Sequence, residues 1–327
     1  FIAGRITYRP FKRLKLGVTH ALDGDPYLNI KDSDGDGRPD LVDDFPDSKS
    51  NWKDTDGDGF DDSIDIDADG DNVYDPFDPE IRLKADPINL NNIRRESVNI
   101  SGFDVGVPLL ERRGFKIFSY GQYAKIVSYG WGFAFPGFRI NLGPVTAGIE
   151  YRRFSKNFVS GFFNKTYELD RAVFREVSSS SDSLVLVHKA ERVLKRITNS
   201  MRGYFSSIEI NVMNLVSFYM AYQDMRSEDN TRNNSMYADI FLNTRNIPRI
   251  KFADAYYQQT DVGDPLDFRA KTESTILGYK IGYDLSPSVT LIFGYRETYR
   301  DYNGDGVISG KNEIITTTNL ETVFSFR

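Results

Sequence analysis

Between residues 32 and 78 one five-aspartate pattern occurs three times, and a stretch so crowded with carboxylates cannot enclose an apolar core of its own. The first stretch has Asp32, Asp34, Asp36, Asp40 and Asp43; the second has Asp54, Asp56, Asp58, Asp62 and Asp65; the third has Asp67, Asp69, Asp71, Asp75 and Asp78. All three place Asp at positions 1, 3, 5, 9 and 12. Position 6 is Gly37, Gly59 and Asn72, residue types that tolerate a left-handed turn. This spacing wraps a tight loop of oxygen ligands around Ca²⁺, with the position-7 carbonyls of Arg38, Phe60 and Val73 adding one more each. Without a cation the carboxylates repel, and the segment is expected to be disordered. With Ca²⁺ the ion takes the place of a core. A merely acidic, solvated segment has no reason to repeat the same positions three times.

The pattern resembles thrombospondin type-3 repeats over roughly residues 32–78, including the spacer Phe45-Pro46-Asp47 between loops one and two. The resemblance implies an irregular, calcium-filled structural module without flanking helices. That family's cysteines are missing here, since the chain has none. A fourth candidate, DYNGDGVISGKNE, offers Asp301, Asn303, Asp305, Ser309 and the Val307 carbonyl. It is similar to a dockerin calcium loop, but its position 12 is Asn312, and Asn303-Gly304 also suits a plain hairpin turn.

The acidic segment stands apart from the rest of the chain. Residues 23–80 hold 20 Asp and 1 Glu against 4 Lys or Arg, a net of −17, and the remainder carries +11. The absence of cysteine excludes disulfides and thiolate metal sites. His20 and His188 are far apart in sequence and read as ordinary polar residues. No run of about 18 apolar residues exists, so no membrane-spanning helix is expected.

Outside the acidic segment, apolar residues alternate with polar or small ones, the period of a strand with two unlike faces. Leu277, Tyr279, Ile281, Tyr283 and Leu285 fall on one face, with Gly278, Lys280, Gly282 and Asp284 between them. The pattern predicts about 13 strands, near 2–9, 13–20, 98–108, 114–125, 129–141, 144–156, 202–211, 214–224, 235–245, 249–259, 271–285, 288–300 and 314–326. Short turns alternate with longer polar loops at 21–97, 155–201, 226–235, 260–271 and 300–313. Unequal rims, strands near ten residues and a C-terminal strand with Phe326 next to last resemble a bacterial outer-membrane β-barrel. The expected fold is therefore all-β: a transmembrane, antiparallel, up-and-down barrel. Residues 1–20 and 98–327 supply its strands, and 21–97 is an extracellular calcium-binding insertion. The usual even parity implies 14 or more strands in the full protein, with at least one upstream of Phe1. Residues 182–200 break the alternation and are expected to form a helix in the loop 155–201, with Lys189, Arg192, Lys195 and Arg196 on a basic side.

No serine-nucleophile elbow, phosphate loop or histidine–carboxylate metal motif occurs, and no enzyme activity is expected. Basic residues are dispersed and the acidic segment repels phosphate, which argues against nucleic acid as a partner. The expected polar face includes Arg5, Lys15, Glu150, Arg152, Glu209, Lys280, Arg296, Arg300 and Glu321. Internal ion pairs or an anion-preferring pore would both use such a set. Three functions fit: a pore or transporter; a membrane anchor for a calcium-stiffened surface module in an envelope assembly; or a soluble, secreted, adhesin-like calcium-binding β protein. The expected partners are outer-membrane lipid, other envelope proteins and surface ligands.

Overall fold

A computed structural model describes the chain except residues 12, 94, 165–166, 179–180, 214, 245–246, 302–306, 309 and 325–327. The chain divides into two compact units. One comprises residues 1–2, 22–98 and 161–196; the other comprises 3–21, 99–160 and 197–327.

The larger unit is an antiparallel meander. Its strands, continuing into the smaller unit only at a few end residues, are β1 (Ile2–Phe11), β2 (Leu14–Asp23), β3 (Val98–Arg112), β4 (Phe115–Ile126), β5 (Trp131–Leu142) and β6 (Val145–Phe154). The smaller unit contributes the hairpin β7 (Ala172–Ser178) and β8 (Ser181–His188). The meander resumes with β9 (Met201–Val212), β10 (Val216–Ser227), β11 (Arg232–Leu242), β12 (Ile250–Val262), β13 (Ile276–Ser286), β14 (Val289–Tyr299) and β15 (Ile314–Phe324). Thirteen strands pair in the order β1-β2-β3-β4-β5-β6-β9-β10-β11-β12-β13-β14-β15, with β7 and β8 in a sheet of their own. The large sheet is open in this order, with β1 and β15 as its edges. Among the turns, Gly114 and Gly143 take φ of 79° and 58°, a left-handed conformation that glycine adopts without a Cβ clash.

Alternation sorts the side chains by face, and the pairing register carries each class across the sheet. Directly paired positions run Tyr295–Tyr279–Ala255–Ile240–Phe218–Ile210–Val145–Leu142–Phe115 through nine strands. This face is apolar and outward: Leu142 is 50% exposed, Ile240 46% and Phe218 42%. The opposite face is polar, as in Arg296–Gly278–Tyr256–Asp239–Tyr219–Glu209–Thr146–Asn141. Several of its groups pair with one another. Tyr120 Oη donates to Glu150 Oε2 at 2.7 Å, Arg152 Nη1 donates to Gln223 at 2.5 Å, and Arg5 Nη2 pairs with Asp104 at 2.7 Å. On this face rings lie over glycines. An added Cβ at Gly278 would sit 2.5 Å from Tyr256 Oη, and one at Gly106 would sit 2.3 Å from the Phe118 ring.

The smaller unit corrects one expectation. Residues 182–200 are not a helix: Ser181–His188 is strand β8, followed only by a short π-helical turn at Ala190–Leu194. Leu184, Val185, Leu186 and Val187 pair with Glu176, Arg175, Phe174 and Val173 of β7. A β-branched run with a strand available beside it favours the sheet over a helix, where such residues lose side-chain freedom. Leu186, Val173 and Ala172 are buried, as are Phe162 and Tyr167. The Tyr167 hydroxyl donates to the fully buried Asp23 at 2.6 Å, with Arg171 3.4 Å from the same carboxylate.

Candidate metal centre

The three acidic loops repeat one another in hydrogen bonding as they do in sequence. The position-1 carboxylate folds the loop over itself. Asp32 accepts from the Gly35 and Gly37 amides at 2.8 and 3.0 Å, and Asp54 accepts from those of Gly57 and Gly59 at 2.7 and 3.0 Å. Asp67 accepts from Asn72 at 3.0 Å. Positions 4 and 6 must then turn left-handed, and φ is 74° and 98° at Gly35 and Gly37, and 69° and 71° at Gly70 and Asn72. The aspartates at positions 3 and 5 each accept from the amide two residues on, as Asp34 does from Asp36 and Asp36 from Arg38.

These turns aim the first three carboxylates inward. The ligand atoms of Asp32, Asp34 and Asp36 lie within 4.8 Å of one another, as do those of Asp54, Asp56 and Asp58, and of Asp67, Asp69 and Asp71. Position 12 approaches as well. Asp43 is 7% exposed, and its carboxyl is pushed above the usual range first by burial and then by Asp36 and Asp34. Within loops one and three, four carboxylate oxygens are buried with no hydrogen-bond partner: Oδ2 of Asp34, Asp43 and Asp78, and Oδ1 of Asp67. A buried, unsatisfied oxygen on a charged group costs more than the roughly 1–3 kcal/mol of a neutral one. A cation at the centre of loops one and three would remove that cost. The clustered donors are all carboxylate oxygens, the chemistry of a hard cation of Ca²⁺ type rather than of a thiolate- or imidazole-binding metal.

Position 9 does different work from the other four. The carboxylate of Asp40 accepts from the Ser33 amide at 2.6 Å and from the Ser33 hydroxyl at 2.8 Å, while its amide donates to Lys31 O at 3.0 Å. Asp62 makes the same clasp on Thr55, at 2.7 Å to both groups, with its amide on Lys53 O. Asp75 accepts from Ala68 N at 3.1 Å and donates to Ile66 O. These three aspartates close the loop from outside the cluster. Hydrogen bonds from Lys31 and Ser33 hold the Asp40 carboxyl at about 2.

Two features escaped the sequence reading. Asp61, 2% exposed, accepts from the Trp52 and Lys53 amides at 2.7 and 3.1 Å and from Ser63, and so fixes the spacer before loop two. Only its place between two patterned aspartates could have marked it. The second is the return segment 80–92, which retraces the loops in reverse order. Arg82 N donates to Asp69 of loop three at 2.8 Å; Lys84 donates to Thr55 and to Asp54 O of loop two; Leu90 N donates to Gly37 O of loop one at 2.7 Å. No periodicity announces a segment held by scattered backbone and side-chain contacts. In the fourth candidate loop, Asp301 and Val307 are described, whereas Asn303, Asp305 and Ser309 lie outside the described residues.

Compared with known protein families and with curated proteins, the chain matches none. Among solved structures it is similar to a mutant of the ferric enterobactin receptor PfeA from Pseudomonas aeruginosa, at 9% identity and a TM-score of 0.37, over 99% of this chain and 46% of that one. It is also similar to the siderophore receptor PirA from Acinetobacter baumannii, at 9% identity and a TM-score of 0.33, over 98% of this chain and 46% of that one. The chain thus spans less than half the length of these receptors, and likeness at this level identifies no family.

Proposed function

We propose that this chain forms part of the wall of a bacterial outer-membrane β-barrel, a pore or transporter or the anchor of an envelope assembly, and carries a calcium-organised segment between β2 and β3. The observation that carries the membrane reading is the outward apolar face, continuous in register through nine strands. Water tolerates apolar patches of a few hundred Å² on a soluble domain, not a sheet face of this extent. Lipid matches such a face when the other side is polar and internally paired.

The connections support the same reading. β1–β2, β3–β4, β5–β6, β9–β10, β11–β12 and β13–β14 are joined by short turns at one end of the meander. The other end carries the long excursions 24–97 and 155–200, although 127–130 and 228–231 are short there too. The long-loop end is the extracellular one in this proposal. Because the sheet has thirteen strands, β1 and β15 run in the same direction. Antiparallel closure therefore needs an odd number of further strands, which restores the even total of bacterial barrels. Calcium is supported by the three-carboxylate clusters and the orphaned buried oxygens in loops one and three.

The test is the protein's physical behaviour. It is expected to require detergent, and to migrate differently on a denaturing gel before and after boiling, because a closed ladder resists the detergent at room temperature. A monodisperse preparation without detergent contradicts the barrel and favours a secreted calcium-binding β protein.

A further inference from the structure

Loop one differs from its two repeats at position 7. Phe60 and Val73 have no charge to offer there, whereas Arg38 turns its guanidinium back into the loop. Arg38 Nη1 lies 2.8 Å from Asp36 Oδ2, with the arginine side chain 17% exposed and that of Asp36 3%. The guanidinium carbon sits 3.9 Å from the centre of the Trp52 ring, which fixes the fork in place. Arg38 Nε is buried with no hydrogen-bond partner, so the side chain is not fully satisfied where it lies. In the same loop, Asp34 Oδ2 and the nearly buried Asp43 Oδ2 are also without partners. One of the clustered carboxylates thus has a built-in counter-ion, while two further oxygens wait for one.

We propose that Arg38 is an internal competitor for the cation of loop one. This rests on the calcium reading above. The residue has two opposed roles: its carbonyl belongs to the ligand shell, and its guanidinium occupies Asp36 Oδ2, an oxygen that shell needs. Calcium entry exchanges one cation for the other, and the guanidinium leaves Asp36 and its place on Trp52. Loop one is consequently the weakest of the three sites, and the last to fill as calcium rises. A charge-assisted, part-buried contact of this kind changes affinity by about tenfold. Because the pair is sheltered, the penalty persists at high salt, whereas a general attraction between the acidic segment and cations is screened.

The experiment uses the detergent-solubilised chain carrying Trp131→Phe, so that Trp52 is its one tryptophan. Calcium is titrated at fixed high ionic strength, with Trp52 emission reporting departure of the Arg38 guanidinium from its ring and equilibrium dialysis reporting total bound calcium. In the parent, the Trp52 signal is expected to follow after most of the calcium has bound. Arg38→Gln should move that signal to about tenfold lower calcium. Arg38→Lys, which keeps the charge but not the planar fork, should move it less. Lys49→Gln removes one charge elsewhere in the segment and should leave it nearly in place. An Arg38→Gln titration that overlays the parent, or an equal shift in Lys49→Gln, overturns the role of Arg38 while leaving calcium binding standing. Failure of dialysis to detect bound calcium in any variant overturns both readings.

Discussion

His188 is one of two histidines, and it shows how far a single residue can be read from its neighbours. In sequence it is an isolated imidazole; in the structure it ends β8, packs edge-on against Tyr27 at 6.0 Å, and leaves Nδ1 buried with no partner. Burial lowers its pKa from 6.5, opposed by Glu191 and Glu96 and reinforced by Lys195. The neutral form is therefore the one that fits. Its stabilising contribution is complete above the unfolded value near 6.5 and is lost as pH falls through that value towards the lowered folded one. The protection of the β7–β8 amides against hydrogen exchange, relative to the intrinsic rate at each pH, should fall between about pH 7 and pH 5, and His188→Phe should flatten the dependence. An unchanged profile in the variant would assign the effect to another group. At the same scale, the clustering of positions 1, 3 and 5 of the acidic loops follows from local turns that their spacing encodes. The clasp of position 9 on position 2 recurs at a fixed separation of seven residues but was not part of the sequence reading.

Among elements, strands that pair with their sequence neighbours were the easiest to read. Period-two alternation marked the sheet strands to within a few residues, since each is polar on one face and apolar on the other. The hairpin β7–β8 was hidden because Leu184-Val185-Leu186-Val187 is apolar on both faces, and a short apolar run fits helix or strand equally well. The return segment 80–92 was hidden for another reason: its contacts mix backbone donors with isolated side chains such as Lys84 and Asn91, and neither follows a period. That makes a sharp test available. Leu90 opens a 3-10 turn capped by Asn89, a first position where proline is tolerated. Leu90→Pro therefore removes little beyond the amide that donates to Gly37 O. Loss of that bond should cost about 1 kcal/mol and increase proteolysis of residues 32–43 about fivefold, without affecting loops two and three. Uniform sensitivity of all three loops would mean that the segment unfolds as one unit and is not strapped loop by loop.

Across the whole molecule, charge separates two materials, and two organising principles follow from it. The sheet strands carry a ladder of backbone hydrogen bonds and opposed faces that need no ion. The acidic segment has few apolar residues to bury, and Phe60, Ile64, Ile66 and Phe77 are all exposed. Its order rests on clasps, the return segment and, in this account, calcium. The strand order was legible in sequence because successive alternating strands pair with one another, even across the excursions 24–97 and 155–200. That residues 161–196 join 22–98 in one compact unit was not, because nothing local in either stretch encodes the other. The decisive measurement is limited proteolysis of the detergent-solubilised chain, with and without a calcium chelator, at fixed ionic strength. Protection of residues 32–78 in calcium, rapid cutting between Asp32 and Asp78 after chelation, and a surviving sheet fragment are the predicted results. Equal protection of that segment in both conditions would contradict the account, because the clasps and return segment would then hold the loops without metal.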